Sequence, residues 1–109
     1  MENKKRHINH LILEWANNRG ILQNATPKDQ MMKLVEEVGE LSTAIQKDNQ
    51  EDIVDAIGDC VVVLTILSEM HKMDLDFCVK MAYNQISERT GKMVDGVFVK
   101  DTKINKQWN

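Results

Sequence analysis

Apolar residues recur along this chain at intervals of three and four, the period of helices with one side turned to a core. In residues 4–18 the stripe is Ile8, Leu11, Ile12 and Trp15, with Gly20 following as a helix terminator. A second stripe, Met31, Leu34, Val38, Leu41 and Ile45, predicts a helix over 27–47. Its start is well marked: Thr26 as N-cap, Pro27 at the first helical position and Asp29 in the first turn. Asp48-Asn49-Gln50 reads as a tight connector, and Ile53, Ile57, Cys60, Leu64 and Leu67 predict a third helix over 51–72. Asp74 can cap a fourth helix over 74–89, through Leu75, Val79, Ala82 and Ile86. Short connectors make neighbouring helices antiparallel. The expectation is an all-α, four-helix antiparallel bundle-like domain occupying residues 1–109 as a single unit.

The pattern changes in the tail, 90–109. Met93-Val94-Asp95-Gly96-Val97-Phe98-Val99 sets Asp-Gly between β-branched residues, a strong signal for a short hairpin or extended arm. Residues 101–109 are polar apart from Ile104 and Trp108, so they are expected to be loose unless a partner subunit holds them.

A chain of 109 residues admits one domain. At that size about two thirds of the unfolded surface is buried, and an oligomer would help it. The net charge of −3 conceals an asymmetry: residues 36–59 hold eight acids and one base, Lys47, a local charge of −7, and the remainder carries +4. That argues against a nucleic-acid binder, whose footprint would be a basic face. The two cysteines, Cys60 and Cys78, are too few for a disulfide framework and read as reduced core thiols of a cytoplasmic protein. The polar N-terminus has no signal-peptide core. The longest apolar run, Cys60 to Leu64, is too short to enter a membrane.

The acids form two stripes. Glu36, Glu37 and Glu40 fall within about 100° of one another on the second helix. Asp52, Asp55 and Asp59 are spaced i, i+3, i+7 on the third. Glu40 lies nine residues before Asn49 and Asp59 ten after it, so the stripes come level across the hairpin. Facing carboxylates in a partly dry groove need a countercharge. Oxygen ligands without His or Cys favour Mg²⁺, with Mn²⁺ as a substitute, over zinc. The bland alternative is a solvated face in which lysines pair with acids at i,i+4, as Lys33 could with Glu37. A di-iron bundle needs Glu-x-x-His, and none of His7, His10 and His71 follows a Glu by three. His7, His10 and Glu14 share a face of the first helix, a weak pattern for zinc.

Lys33-Leu-Val-Glu-Glu-Val-Gly-Glu-Leu41 followed by Asp55-Ala-Ile-Gly-Asp-Cys-Val-Val-Val-Leu64 resembles the MazG-like family of all-α nucleoside triphosphate pyrophosphohydrolases, relatives of the dimeric dUTPases. Trp15-Ala-x-x-Arg-Gly20, Met81-Ala-Tyr-Asn84 and Arg89-Thr-Gly91 fit as well, and the tail 91–100 resembles phage and prophage members. The resemblance covers about residues 8–100. It implies Mg²⁺-dependent cleavage of an NTP or dNTP between the α and β phosphates, giving the monophosphate and pyrophosphate. The family's metal pattern, Glu-x-x-Glu then Glu-x-x-Asp, maps to Glu37, Glu40 and Asp59. Where the family usually has the remaining Glu, this chain has Ala56; Asp55, or Asp52 one turn earlier, stands in, and Asp55 is preferred because it pairs i,i+4 with Asp59. Glu36 or Glu37 would accept the proton of the attacking water. By the same resemblance Lys33, Lys80 and Asn84 would face the phosphates or sugar, and Trp15 and Gln30 the base. A homodimer or homotetramer is implied. The competing reading is a non-catalytic helical oligomeric module, motivated by Ala56 and the apolar tail.

Overall fold

The computed structural model describes residues 7–101. Helix α1 (Ile8–Asn18) starts where His7 Nδ1 accepts a hydrogen bond from the Asn9 backbone N–H at 3.0 Å. The helix expected from residue 4 therefore begins at Ile8, with His7 as its cap; residues 4–6 lie outside the described residues. Gly20, at φ +78°, ends the run in the left-handed conformation that a Cβ disfavours. It also turns the chain into a four-residue helix, α2 (Ile21–Asn24), which the sequence pattern does not predict. Asn24 Nδ2 closes that turn by donating to the Gly20 carbonyl at 2.8 Å.

Helix α3 (Pro27–Gln46) opens on the expected residues. The Asp29 N–H donates to Thr26 Oγ1 at 3.1 Å and the Thr26 N–H donates to Asp29 Oδ2 at 2.9 Å, a reciprocal capping box. The backbone bond from Thr26, then its hydroxyl, holds the Asp29 carboxyl below its ordinary range. Asp48, at φ +53°, makes the connector tight. Asn49 then caps α4 (Gln50–Met70) by accepting from the Asp52 N–H at 3.1 Å. Helix α5 (Leu75–Ile86) follows Asp74, whose carbonyl accepts from the Cys78 N–H. It stops at Ile86, short of the expected Arg89, where Ser87 Oγ turns back to the Asn84 carbonyl at 3.2 Å. Strands β1 (Gly91–Val94) and β2 (Val97–Lys100) form the expected hairpin, pairing Met93 with Phe98 and Val94 with Val97. Asp95 and Gly96 take φ values of +50° and +84°, as a two-residue hairpin turn demands.

The chain divides into two compact units at Cys78/Val79. In the first, α3 and α4 pack along one another, α1 packs on α4, and α2 packs on α1. The α1 entry is tied to the start of α5: Asn9 Nδ2 donates to Asp76 Oδ1 at 3.1 Å, and His7 Nε2 lies 3.2 Å from Asp76 Oδ2. In the second unit every described residue is exposed. Among the described residues no helix is long and apolar enough to cross a membrane.

The core differs from the one periodicity suggests. Its buried apolar residues are Ala16, Ala44, Ala56, Val63 and Ile66. Many large residues of the predicted stripes, among them Ile8, Trp15, Met31, Val38, Ile45, Ile57 and Val79, are exposed on the isolated chain. Periodicity marks which residues share a helix side; close helix approach selects small side chains for the contact. Cys60 and Cys78 are free and half-buried. The Thr26 cap is expected to matter: Thr26→Ala should cost about 1 kcal/mol of stability, read as a lowered midpoint in urea followed by helical circular dichroism.

Candidate functional site

The α3–α4 pairing sets the two acid stripes beside each other. Glu37 sits on the buried side of α3, only 6% exposed. Among the described residues its Oε1 has no hydrogen-bond partner, and its Oε2 lies 3.5 Å from Lys33 Nζ. The same ammonium lies 3.3 Å from Glu36 Oε1, so Lys33 bridges both carboxylates from one turn earlier. The bond to Glu36, with the charges of Glu36 and Glu37, raises the Lys33 pKa further above its ordinary value. Lys33 is therefore cationic at any physiological pH.

Across the interface Asp59 is half-buried on α4. Burial pushes its carboxyl above the ordinary range, and the charges of Asp55 and Glu37 push it in the same direction; Lys33 acts against them. Four groups thus share one electrostatic neighbourhood: Glu37, Asp55, Asp59 and Lys33. Next to it lies a groove of about 550 Å³, lined by α3 with its C-cap (Glu36, Gly39, Glu40, Thr43, Ala44, Lys47) and by α4 (Asp52, Asp55, Ala56). The small residues Gly39, Ala44 and Ala56 leave the space, and four of the six predicted acids other than Glu37 and Asp59 line it: Glu36, Glu40, Asp52 and Asp55.

The donors fit a hard divalent cation, being carboxylate oxygens throughout. The orphaned Glu37 oxygen is a buried acceptor of the kind such an ion satisfies. Among the described residues, however, no group of three His, Cys, Asp or Glu forms a ready-made cage. The set suits an ion that keeps water and substrate oxygens in its shell. At the first helix His7 spends Nδ1 on capping α1 and sets Nε2 against Asp76.

Of the predicted substrate residues, Lys33 lies among these carboxylates. Trp15 is exposed on α1, with the Arg19 guanidinium 5.2 Å from its ring centroid. Gln30 is half-buried in the second turn of α3. Neither lines the groove. Lys80 and Asn84 are exposed on α5 in the second unit, four residues apart. Lys47, the lone base among the acids and by spacing on their side of the helix, lines the groove wall as the α3 C-cap.

Residues 25–98 match the MazG nucleotide pyrophosphohydrolase domain. The chain belongs to the MazG family. A relative is an uncharacterised 18.2 kDa protein of the rep-hol intergenic region of Haemophilus phage HP1 (strain HP1c1), 41% identical over 63 residues, or 58% of this chain. The match spans 39% of that phage protein's length. No solved structure matches significantly. The MazG match covers α3, α4, α5 and most of the hairpin, and so includes both acid stripes.

The electrostatics give a pH-dependent expectation. A carboxyl with a raised folded-state pKa favours the folded state below its ordinary 3.8 and loses that contribution as pH rises through the raised value. Asp55→Asn should bring the Asp59 pKa back towards 3.8, seen by carboxyl-carbon NMR titration of the metal-free protein. An unmoved Asp59 titration would remove Asp55 from its surroundings.

Proposed function

We propose that this chain is a Mg²⁺-dependent nucleoside triphosphate pyrophosphohydrolase, converting an NTP or dNTP and water to the monophosphate and pyrophosphate. The observation that carries the reading is the buried Glu37 carboxylate. One oxygen lacks a partner, Asp55 and Asp59 stand nearby, and all lie within the stretch matched by the MazG family.

In this reading Glu37, Glu40, Asp55 and Asp59 hold the cation, Mg²⁺ or Mn²⁺ in its place. Asp55 is favoured over Asp52 because its charge acts on Asp59. Bound there, a divalent ion would supply positive charge to offset that of the triphosphate. Glu36 is the better base: it is exposed and lines the groove, while Glu37 is buried. It accepts the proton of a water attacking the α-phosphorus, and pyrophosphate departs as the α–β bond breaks. Lys33, Lys80 and Asn84 contact phosphates or sugar. Trp15 and Gln30 contact the base, the half-exposed indole offering a stacking face.

Oligomerisation belongs to the same proposal. Val54, Ile57, Val61 and Leu64 on α4, Val35, Val38 and Ile45 on α3, and Phe98 on the hairpin are all exposed on the isolated chain. Monomers rarely leave so many large apolar side chains in water. A homodimer or homotetramer would cover them, with the described part of the arm, 92–101, on a neighbour; residues 102–109 lie outside the described residues. The second reading, a non-catalytic helical oligomeric module, draws on one observation: Ala56 is a buried alanine where a fourth carboxylate is expected.

Two measurements test these statements. With Mg²⁺ and a panel of NTPs and dNTPs, pyrophosphate release is expected from at least one nucleotide. Glu40→Ala and Asp59→Ala should lower turnover by on the order of 100-fold or more with helical circular dichroism retained. No release from any nucleotide by folded protein favours the non-catalytic module. Light scattering should give a mass of two or four chains; a monomer would refute the assembly.

A further inference from the structure

Lys33 stands where a positive charge is most needed. Glu37 is 6% exposed, and Lys33 Nζ at 3.5 Å is the cation within ion-pair distance of it among the described residues. The other Glu37 oxygen is unpartnered. The same ammonium engages Glu36 at 3.3 Å, and its charge also reaches Asp59. A buried carboxylate without compensation is strongly destabilising. An exposed lysine has the reach and flexibility to leave again.

We propose that Lys33 is a built-in stand-in for the divalent cation. In the metal-free protein its ammonium neutralises the Glu36–Glu37 pair. It gives up its place on Glu37 when a divalent ion binds, so that lysine and metal compete for that buried carboxylate. The consequence is regulatory: the site stays folded without metal, and its metal affinity is set partly by the cost of releasing Lys33. The released ammonium is then available for another anion, which in the reading above is the triphosphate. The inference rests on the metal-binding part of that reading and not on the identity of the reaction.

The test uses Mn²⁺ alone, without nucleotide, on the full chain and two variants. Lys33→Met removes the charge and keeps the bulk; Lys33→Arg keeps the charge. Calorimetric titration should show Lys33→Met binding Mn²⁺ roughly tenfold more tightly, the scale set by a unit charge a few ångströms away. Lys33→Arg should stay close to the unaltered protein. Thermal unfolding supplies the readout that a merely structural ion pair would not move. Lys33→Met should lower the metal-free melting temperature, and saturating Mn²⁺ should erase that difference, since Lys33 no longer holds the site in either protein. A deficit that persists in saturating Mn²⁺, or an unchanged Mn²⁺ affinity, would overturn the proposal. So would the absence of Mn²⁺ binding in all three proteins, which also removes the metal-binding reading. Mn²⁺ binding with the expected Lys33 dependence, but without pyrophosphate release, would leave the lysine's role in place and reject only the hydrolase.

Discussion

A carboxylate taken out of water must find a cation or a set of hydrogen-bond donors, and Glu37 finds only part of either. It lies on the side of α3 that packs on α4, where the approach of the helices excludes solvent. Lys33 reaches one oxygen from the preceding turn. No donor reaches the other. Across the interface α4 presents more negative charge, and its effect is visible in the raised pKa of Asp59. Helix packing and local electrostatics therefore oppose each other at this one place. Such local conflict concentrates at functional sites, because the missing interaction is one a ligand can supply.

The same helix contact shapes the rest of the surface. Ala44 and Ala56 are buried, and with Gly39 they line the groove beside Glu40 and Asp55. Small residues let two helices come close without filling the space beyond the contact. They bury little apolar area themselves. The large residues that could bury more lie on other sides of α3 and α4 and remain exposed on the single chain. The hairpin has the same character: Val94, Val97 and Val99 fall on one face, Met93 and Phe98 on the other, and all five are exposed. A two-stranded ribbon with both faces apolar has little stability of its own in water. The groove and the exposed apolar side chains thus have a common origin in a narrow core.

Much of this was legible in the sequence, and the gaps have physical causes. Thr26-Pro27-Lys28-Asp29 specifies a helix start through local hydrogen bonds, and α3 begins there. Asp95-Gly96 specifies the hairpin through the φ values it tolerates. The Lys33–Glu37 pair follows from i,i+4 spacing. Helix α2 was not legible, because four residues show no period and its formation depends on the left-handed Gly20. The inward side of each helix was not legible either. Counting apolar residues favours the side with Val38 and Ile45, whereas Ala44 and Glu37 are the buried positions. The acid stripes could be drawn from spacing alone; the burial that separates Glu37 from its neighbours Glu36 and Glu40 could not.

Ala56 bears on where the charge lies along α4. An acid at position 56 would stand on the same helix side as Asp52 and Asp59, one turn from each. Alanine there is buried and opens the groove wall. Asp55, one position back, is turned by about 100° around the helix, so it cannot place its oxygens where a residue at 56 would. Its charge nevertheless still acts on Asp59. The negative charge that α4 brings near Glu37 thus comes from Asp55 at the groove and from Asp59. Attraction for a cation depends mainly on the total charge and on the exclusion of water; the number and angle of protein oxygens around it depend on the exact positions. An alanine at 56 therefore affects the positions of oxygens beside the groove more than the attraction for a cation. An ion that completes its own shell with water and phosphate oxygens is the kind best able to use what remains.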